Sequence, residues 1–257
     1  MSKYDFRRDP MRFKDANCGY FSYRPDGIYA GTFDEVKKVC DENFIESCAW
    51  YNATRAGKSV RKANEETLAK CKEHGGVPVL RLLPPSFRKE SYTREELEYL
   101  ANVEGAAFRV WPKTDATPIT DWLYGWMIEV LEKAKAPLLV SVWEYEDLSP
   151  LAEFKAKHPD LVLLLTNTNQ FLNRQYVAMV KNLPNVYIET TNVIEYYAFE
   201  SLAAEIGADK ILFGTGMPDK EPYDRIYQML YCELSQEEIE LIAYKNFERV
   251  MERGIRR

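Results

Sequence analysis

The sequence predicts an α/β fold, a (β/α)8 TIM barrel, and three observations carry that prediction. Eight short runs of β-branched or apolar residues alternate along the whole chain with longer amphipathic segments. The runs APLLVSV and LVLLLT are apolar on both faces, as parallel strands covered on each side must be. The rival open doubly wound sheet usually announces itself by GxGxxG after its first strand, and that motif is absent. The 257 residues suit one barrel domain spanning 1–257, with no linker, repeat or low-complexity stretch to divide it.

Taken in order, the first strand is expected at Phe13–Cys18, with a helix over Thr32–Glu42. Asn43–Trp50 leads to a helix at Val60–His74, where EHGG marks the end and His74 caps the last turn. Val77–Leu83 is followed by Thr93–Asn102, and Ala106–Trp111 by Thr120–Lys135. Pro137–Trp143 precedes a helix at Ser149–His158, closed by Pro159. Leu161–Thr166 is paired with Leu172–Leu183, Asn185–Thr190 with Val193–Ile206, and Lys210–Gly214 is the eighth strand. A final helix is expected over Ser235–Arg253, opened by Ser235 with Glu238 three residues on, the spacing of a capping box.

Composition narrows the function. With 46% hydrophobic and 29% charged residues the chain reads as an ordinary soluble globular protein with a large core. The net charge of −6, with acids and bases interleaved, excludes nucleic acid as a main partner, because a phosphate-binding surface needs a concentrated basic face. The charged start MSKYDFRRDPMRFKD lacks the apolar run of a signal peptide, and no stretch approaches the ~18 apolar residues that cross a bilayer. Five scattered cysteines without a CxxC pair argue against a disulfide framework or a structural zinc site and predict a reducing cytoplasm. Only two histidines are present, His74 and His158, whereas catalytic zinc usually draws on two or three.

Two segments carry a family resemblance. GADKILFGTGMPDKEP, followed by LSQEEIELIAYKNFERV, resembles the eighth strand and following helix of the amidohydrolase-related branch of the metal-dependent hydrolases, through Gly207, Asp209, Leu212, Phe213, Gly214, Pro218, Asn246 and Phe247. HPDLVLLLTNTNQFLNRQYVAMVKNLPNVYIETTN looks like that family's sixth strand, helix and seventh strand, and FKDANCGYF like its first, with Asp15 in the place of an aspartate. The resemblance implies a barrel with a divalent metal such as zinc, held by HxH on strand one, a strand-six histidine, and a strand-eight aspartate that doubles as base. Those positions look like Asn17 and Gly19, Thr166 or Asn167, and Gly216. Glycine can neither ligate nor accept a proton, so no cofactor is expected and the zinc-water mechanism is expected to be lost.

Chemistry in a barrel belongs at the C-terminal ends of the strands. That rule selects Asn17, Cys18, Tyr51, Asn52, Arg81, Arg109, Trp111, Trp143, Glu144, Asn167, Glu189, Thr215 and Asp219. Arg81 and Arg109 sit within apolar strands, where an unpaired guanidinium is prohibitive. Each either binds a ligand carboxylate or phosphate or pairs internally, with Glu144 or Glu189 as partners. Glu144 and Glu189 could face each other as acid and base, or only stabilise the barrel. Asp219 is a substitute base or the start of an exposed turn. Cys18 is a nucleophile only if a neighbour lowers its pKa, and a buried inert thiol otherwise. Trp50, Trp111 and Trp143 end successive strands and wall an aromatic pocket or pack beneath loops. The expected activity is hydrolysis or decarboxylation of a small polar or anionic molecule by catalytic Glu144, Glu189 and Asp219. Binding falls to Asn17, Arg81, Arg109, Trp111, Trp143, Asn167 and Thr215. The alternative is a non-catalytic small-molecule-binding or regulatory barrel. Homo-oligomerisation is permitted by the acidic, aromatic-rich composition, and no membrane partner is expected.

Overall fold

Eight parallel strands follow one another around a ring in sequence order. The computed structural model describes residues 11–22, 31–54, 59–87 and 89–253. The strands are β1 Phe13–Tyr20, β2 Ile45–Asn52, β3 Val77–Arg81, β4 Ala107–Val110, β5 Leu138–Ser141, β6 Leu163–Thr166, β7 Val186–Glu189 and β8 Ile211–Leu212. Between them run α1 Phe33–Glu42, α2 Val60–His74, α3 Arg94–Asn102, α4 Asp121–Ala134, α5 Ser149–Lys157, α6 Asn173–Asn182 and α7 Ala198–Ile206. After β8 come α8 Tyr223–Tyr231, α9 Gln236–Glu240 and α10 Asn246–Val250. The ring closes through backbone hydrogen bonds from Ala16 N to Phe213 O (2.8 Å), Gly216 N to Asn17 O (3.0 Å) and Gly19 N to Met217 O (2.6 Å). No helix among the described residues is long and apolar enough to cross a membrane.

Helix starts follow local chemistry. Thr32 with Glu35, Thr93 with Glu96, and Ser235 with Glu238 all form reciprocal capping boxes, each satisfying backbone donors that a helix N-terminus leaves open. The helix expected over Ser235–Arg253 is not continuous: a π turn at Leu241–Lys245 separates α9 from α10. The wider turn presents the Ile242 carbonyl to Phe213 N at 2.9 Å, which is why the eighth strand ends at Leu212 instead of reaching Gly214. Asn246 locks the same junction by donating from Nδ2 to Ala208 O (2.8 Å) and Ile211 O (2.7 Å). Helix α8 was not expected, because its nine residues leave Tyr227 and Tyr231 exposed and bury only Arg225, Ile226 and Met229. The helix expected from Val193 starts at Ala198, since Tyr197 adopts a left-handed φ of 51°.

Strand alternation sorts side chains into two layers. Ala49, Val79, Leu139, Leu164 and Leu212 fill the barrel interior. Phe13, Cys18, Phe108, Val140, Leu165 and Ile188 face the helices. Each fully buried Leu, Ile or Phe contributes about 1.5–3 kcal/mol, so the two layers together fix the geometry of the mouth. This sorting selects between two pairs of alternatives. Trp50 belongs to the outer layer, its ring 4.7 Å from Phe33, so it walls no pocket at the mouth. Cys18 also points outward, beside Cys40 and Cys48, away from any substrate at the mouth.

Candidate active site

Period-two alternation on β4 and β7 aims Arg109 and Glu189 inward, and β2 does the same for Tyr51. On β1 the register shifts between Asp15 and Cys18. That irregularity leaves Asn17 facing the mouth while Cys18 faces α1.

Asn17 is the hub of a buried polar network. Its Oδ1 accepts from Arg109 Nη2 at 2.6 Å. Its Nδ2 lies 3.1 Å from Asn167 Oδ1, 3.2 Å from Glu189 Oε1 and 3.1 Å from Thr191 Oγ1. Glu189 also accepts from Asn167 N at 2.5 Å and from Thr191 N at 2.6 Å. Burial pushes the Glu189 carboxyl above the usual range, opposed by those Thr191 and Asn167 donors and by the charge of Arg109. Beneath, Asp15 takes hydrogen bonds from Asn17 N (2.8 Å) and Thr215 N (3.1 Å) and from the Thr215 hydroxyl. Burial raises Asp15 to about 7 in spite of these donors.

Arg109 is 2% exposed. Its guanidinium lies 3.9 Å from the centre of the Tyr51 ring, a desolvated cation–π contact of about 2 kcal/mol. The Tyr51 ring in turn rests on Gly19, where an added Cβ would meet ring carbon Cζ at 2.5 Å. Two more glycines make room for the network. A Cβ on Gly214 would lie 2.3 Å from Glu189 Oε2, and one on Gly216 would lie 2.3 Å from Thr191 Cγ2. Gly216 also holds a φ of +76°, a conformation that side chains strain.

Above this floor opens a cavity of about 710 Å3, a size suited to a small organic ligand. Arg109 and Asn167 form its base, Tyr51, Trp111 and Trp143 its aromatic wall, and Glu144, Asp219 and Lys220 its charged rim. Among the expected residues, the structure therefore brings Arg109, Trp111, Trp143, Glu144, Asn167 and Asp219 to one cavity. Asn17, Glu189 and Thr215 lie beneath it, buried and hydrogen-bonded.

Arg81 is placed elsewhere. It makes a two-pronged ion pair with Asp115 in the loop after β4, and its guanidinium carbon stacks 4.8 Å from the Trp111 ring centre. Its partner is therefore neither Glu144 nor Glu189. Glu144 stands on the cavity rim and Glu189 lies buried beneath it. Glu144 is spent on the β4–α4 loop, accepting from Lys113 N (2.9 Å), Thr114 N (2.8 Å) and Thr114 Oγ1 (2.8 Å). Neither histidine lines the cavity; His74 packs on Phe33 and His158 is held by Asp121 and Glu132.

Sequence reasoning missed Thr191, which serves Glu189 and Asn17 together, and Lys220 on the rim. The pair Thr190–Thr191 directly after a glutamate at a strand end was the available signal. The Thr190 hydroxyl donates to Gly214 O (3.1 Å) and accepts from Gly214 N (3.0 Å), which holds β7 to the segment after β8 at the mouth.

Asn17, Gly19 and Gly216 stand where the family resemblance implies metal ligands. Asn17 turns its amide donors toward Glu189, Gly19 is covered by Tyr51, and Gly216 has no side chain. Among the described residues, the one place where three His, Cys, Asp or Glu ligand atoms converge is a cysteine cluster behind the barrel wall. The base of the mouth carries a cation of the chain's own, Arg109.

The amidohydrolase family model matches residues 30–252. No curated protein matches the chain in sequence. Among solved structures, the chain is similar to a TIM-barrel protein from Bordetella bronchiseptica, with a TM-score of 0.74, 17% identity, and 96% of this chain and 100% of that one covered. It is also similar to the 2,6-dihydroxybenzoate decarboxylase from Rhizobium (TM-score 0.71, 17% identity, 95% and 100% covered). A dihydroxybenzoic acid decarboxylase from a Polaromonas species, solved with manganese and 2-nitroresorcinol, gives a TM-score of 0.71 at 15% identity, covering 96% and 98%. These likenesses describe the barrel itself.

Proposed function

The chain belongs to the amidohydrolase family, and from that premise we propose that it is a metal-independent decarboxylase of a small aromatic or otherwise unsaturated carboxylic acid. The observation that carries the reading is Arg109, a buried guanidinium at the base of a cavity walled by Tyr51, Trp111 and Trp143. A fixed cation under aromatic walls suits a planar anion, since the charge sets its orientation and the rings take its apolar body. The names of two of the similar structures, which describe decarboxylases of dihydroxybenzoates, favour the same substrate class.

In the reaction, the bond between the ring carbon and the carboxylate breaks, carbon dioxide leaves, and the electron pair stays on the carbon, which takes up a proton. We assign proton delivery to Asp219, the cavity carboxyl nearest the family's missing strand-eight aspartate in sequence. Arg109 and Lys220 hold the anion, and Glu189 with Asn17 positions Arg109. Hydrolysis is the weaker reading, because Asn17, Gly19 and Gly216 stand where the resemblance implies the ligands of a metal-bound water.

One observation favours a binding-only barrel: Glu144 is spent on its loop and Glu189 is buried below the cavity. A panel of hydroxybenzoates and related acids separates the two readings, scored by ligand-induced melting shifts and by carbon dioxide release. Release that is lost in Asp219→Asn while the melting shift persists supports decarboxylation. Melting shifts without any release across the panel support the binding protein.

A further inference from the structure

Three cysteines far apart in sequence meet behind the barrel wall. Cys18 comes from β1, Cys48 from β2 and Cys40 from the last turn of α1, and their sulfurs all lie within 4.8 Å of one another. The Cys40 and Cys48 sulfurs are 3.6 Å apart. Each residue is at most 1% exposed. They belong to the outer layer, with Phe33, Val36 and Trp50, and line no part of the cavity at the mouth. Sequence spacing gave no sign of this meeting, because the register of β1 on β2 and the docking of α1 bring the thiols together.

Thiols are weak hydrogen-bond groups, yet these three have chiefly each other as polar company. An equilateral triangle of sulfurs with edges in this range encloses a point about 2.1–2.8 Å from each, which brackets the ~2.3 Å bond of a thiolate to a metal ion. Among the described residues no fourth His, Cys, Asp or Glu joins the group. Structural zinc takes four ligands, whereas soft thiolates alone select copper(I).

We propose that Cys18, Cys40 and Cys48 form a three-coordinate thiolate site for a soft monovalent cation of the copper(I) class. On binding, three S–H bonds are exchanged for three sulfur–metal bonds, the protons leave to solvent, and no electron is transferred. The ion ties β1, β2 and α1 into one unit and takes no part in the chemistry at the mouth.

The test is an anaerobic titration of the reduced full chain with copper(I) held by bicinchoninate. The expected result is one copper per chain, an ultraviolet sulfur-to-copper charge-transfer band, and an X-ray absorption shell of three sulfurs. Cys40→Ala and Cys48→Ala each weaken uptake by about 100-fold or more, as loss of one ligand should, while Cys71→Ala and Cys232→Ala leave it unchanged. Copper(I) also raises the melting temperature of the unaltered chain, a readout that stands even if a variant misfolds. Failure to compete with bicinchoninate, uptake undiminished in Cys48→Ala, or a melting temperature indifferent to copper(I) each overturns the proposal.

Discussion

Arg109 donates to the side-chain oxygen of Asn17 at 2.6 Å, and this bond joins β4 to β1 across the mouth of the barrel. It fixes a buried guanidinium at the base of the cavity. The same amide turns its other end to Glu189, so one asparagine links a fixed positive charge to a buried carboxyl.

Breaking that link should be costly and non-additive. Asn17→Ala leaves the buried Arg109 and Glu189 each short of a partner, and we expect a loss of about 2–4 kcal/mol in urea unfolding. Arg109→Met alone should also destabilise. The double variant should differ from the sum by about 0.5–3 kcal/mol, because the two residues share one interaction. Strict additivity would mean that the bond contributes nothing.

The glycines test the packing of the network. Gly214→Ala drives a methyl against Glu189 and should cost more than about 2 kcal/mol, read as a fall in melting temperature. Gly125→Ala, where nothing lies within 4 Å of an added Cβ, is the control and should be neutral or slightly stabilising.

Asp15 should make stability depend on pH in the direction opposite to an ion-paired carboxylate. Its folded value near 7 lies above the ~3.9 of an unfolded chain, so between those values the folded state holds more protons. The contribution of Asp15 is therefore most favourable below pH ~4 and declines as pH rises to ~7, by at most about 4 kcal/mol. Asp15→Asn, which keeps an oxygen for the two backbone donors, should flatten that decline in unfolding curves taken from pH 4 to 8. An unchanged slope would show that Asp15 is ionised throughout.

Arg81 separates structure from binding. Its side chain is committed to Asp115, with 17% and 8% exposure for the two partners. Arg81→Met should cost about 1–3 kcal/mol of stability yet leave carboxylate affinity within about twofold. A large loss of affinity would place Arg81 in the binding site.

Much of this was legible in the chain. Alternation of apolar strands and capped helices led to the barrel, and a lone arginine inside AAFRVWP marked Arg109 as either ligand-binding or internally paired. The same signal in VPVLRLLPP led to Arg81, whose partner Asp115 sits in the loop after the next strand, a contact set by loop conformation. Glu144 looked like a catalytic carboxylate because nothing in its own segment showed that the amides of Lys113 and Thr114 would claim it. The Tyr51 ring over Gly19 was equally hidden, since it depends on the cross-strand register that pairs the two residues. The π turn in the last helix leaves the apolar period almost unchanged and shows only through the carbonyl it frees for Phe213.

Whether Arg109 serves as the ligand-binding cation of the mouth is decided by one titration. A hydroxybenzoate that shifts the melting temperature is titrated calorimetrically into chain exhaustively treated with a metal chelator, with and without added manganese or zinc. The predicted result is an affinity unchanged within about twofold by chelation or metal, and weakened by about 30-fold or more in Arg109→Met. Binding that vanishes on chelation, returns with manganese or zinc, and is indifferent to Arg109→Met would contradict it.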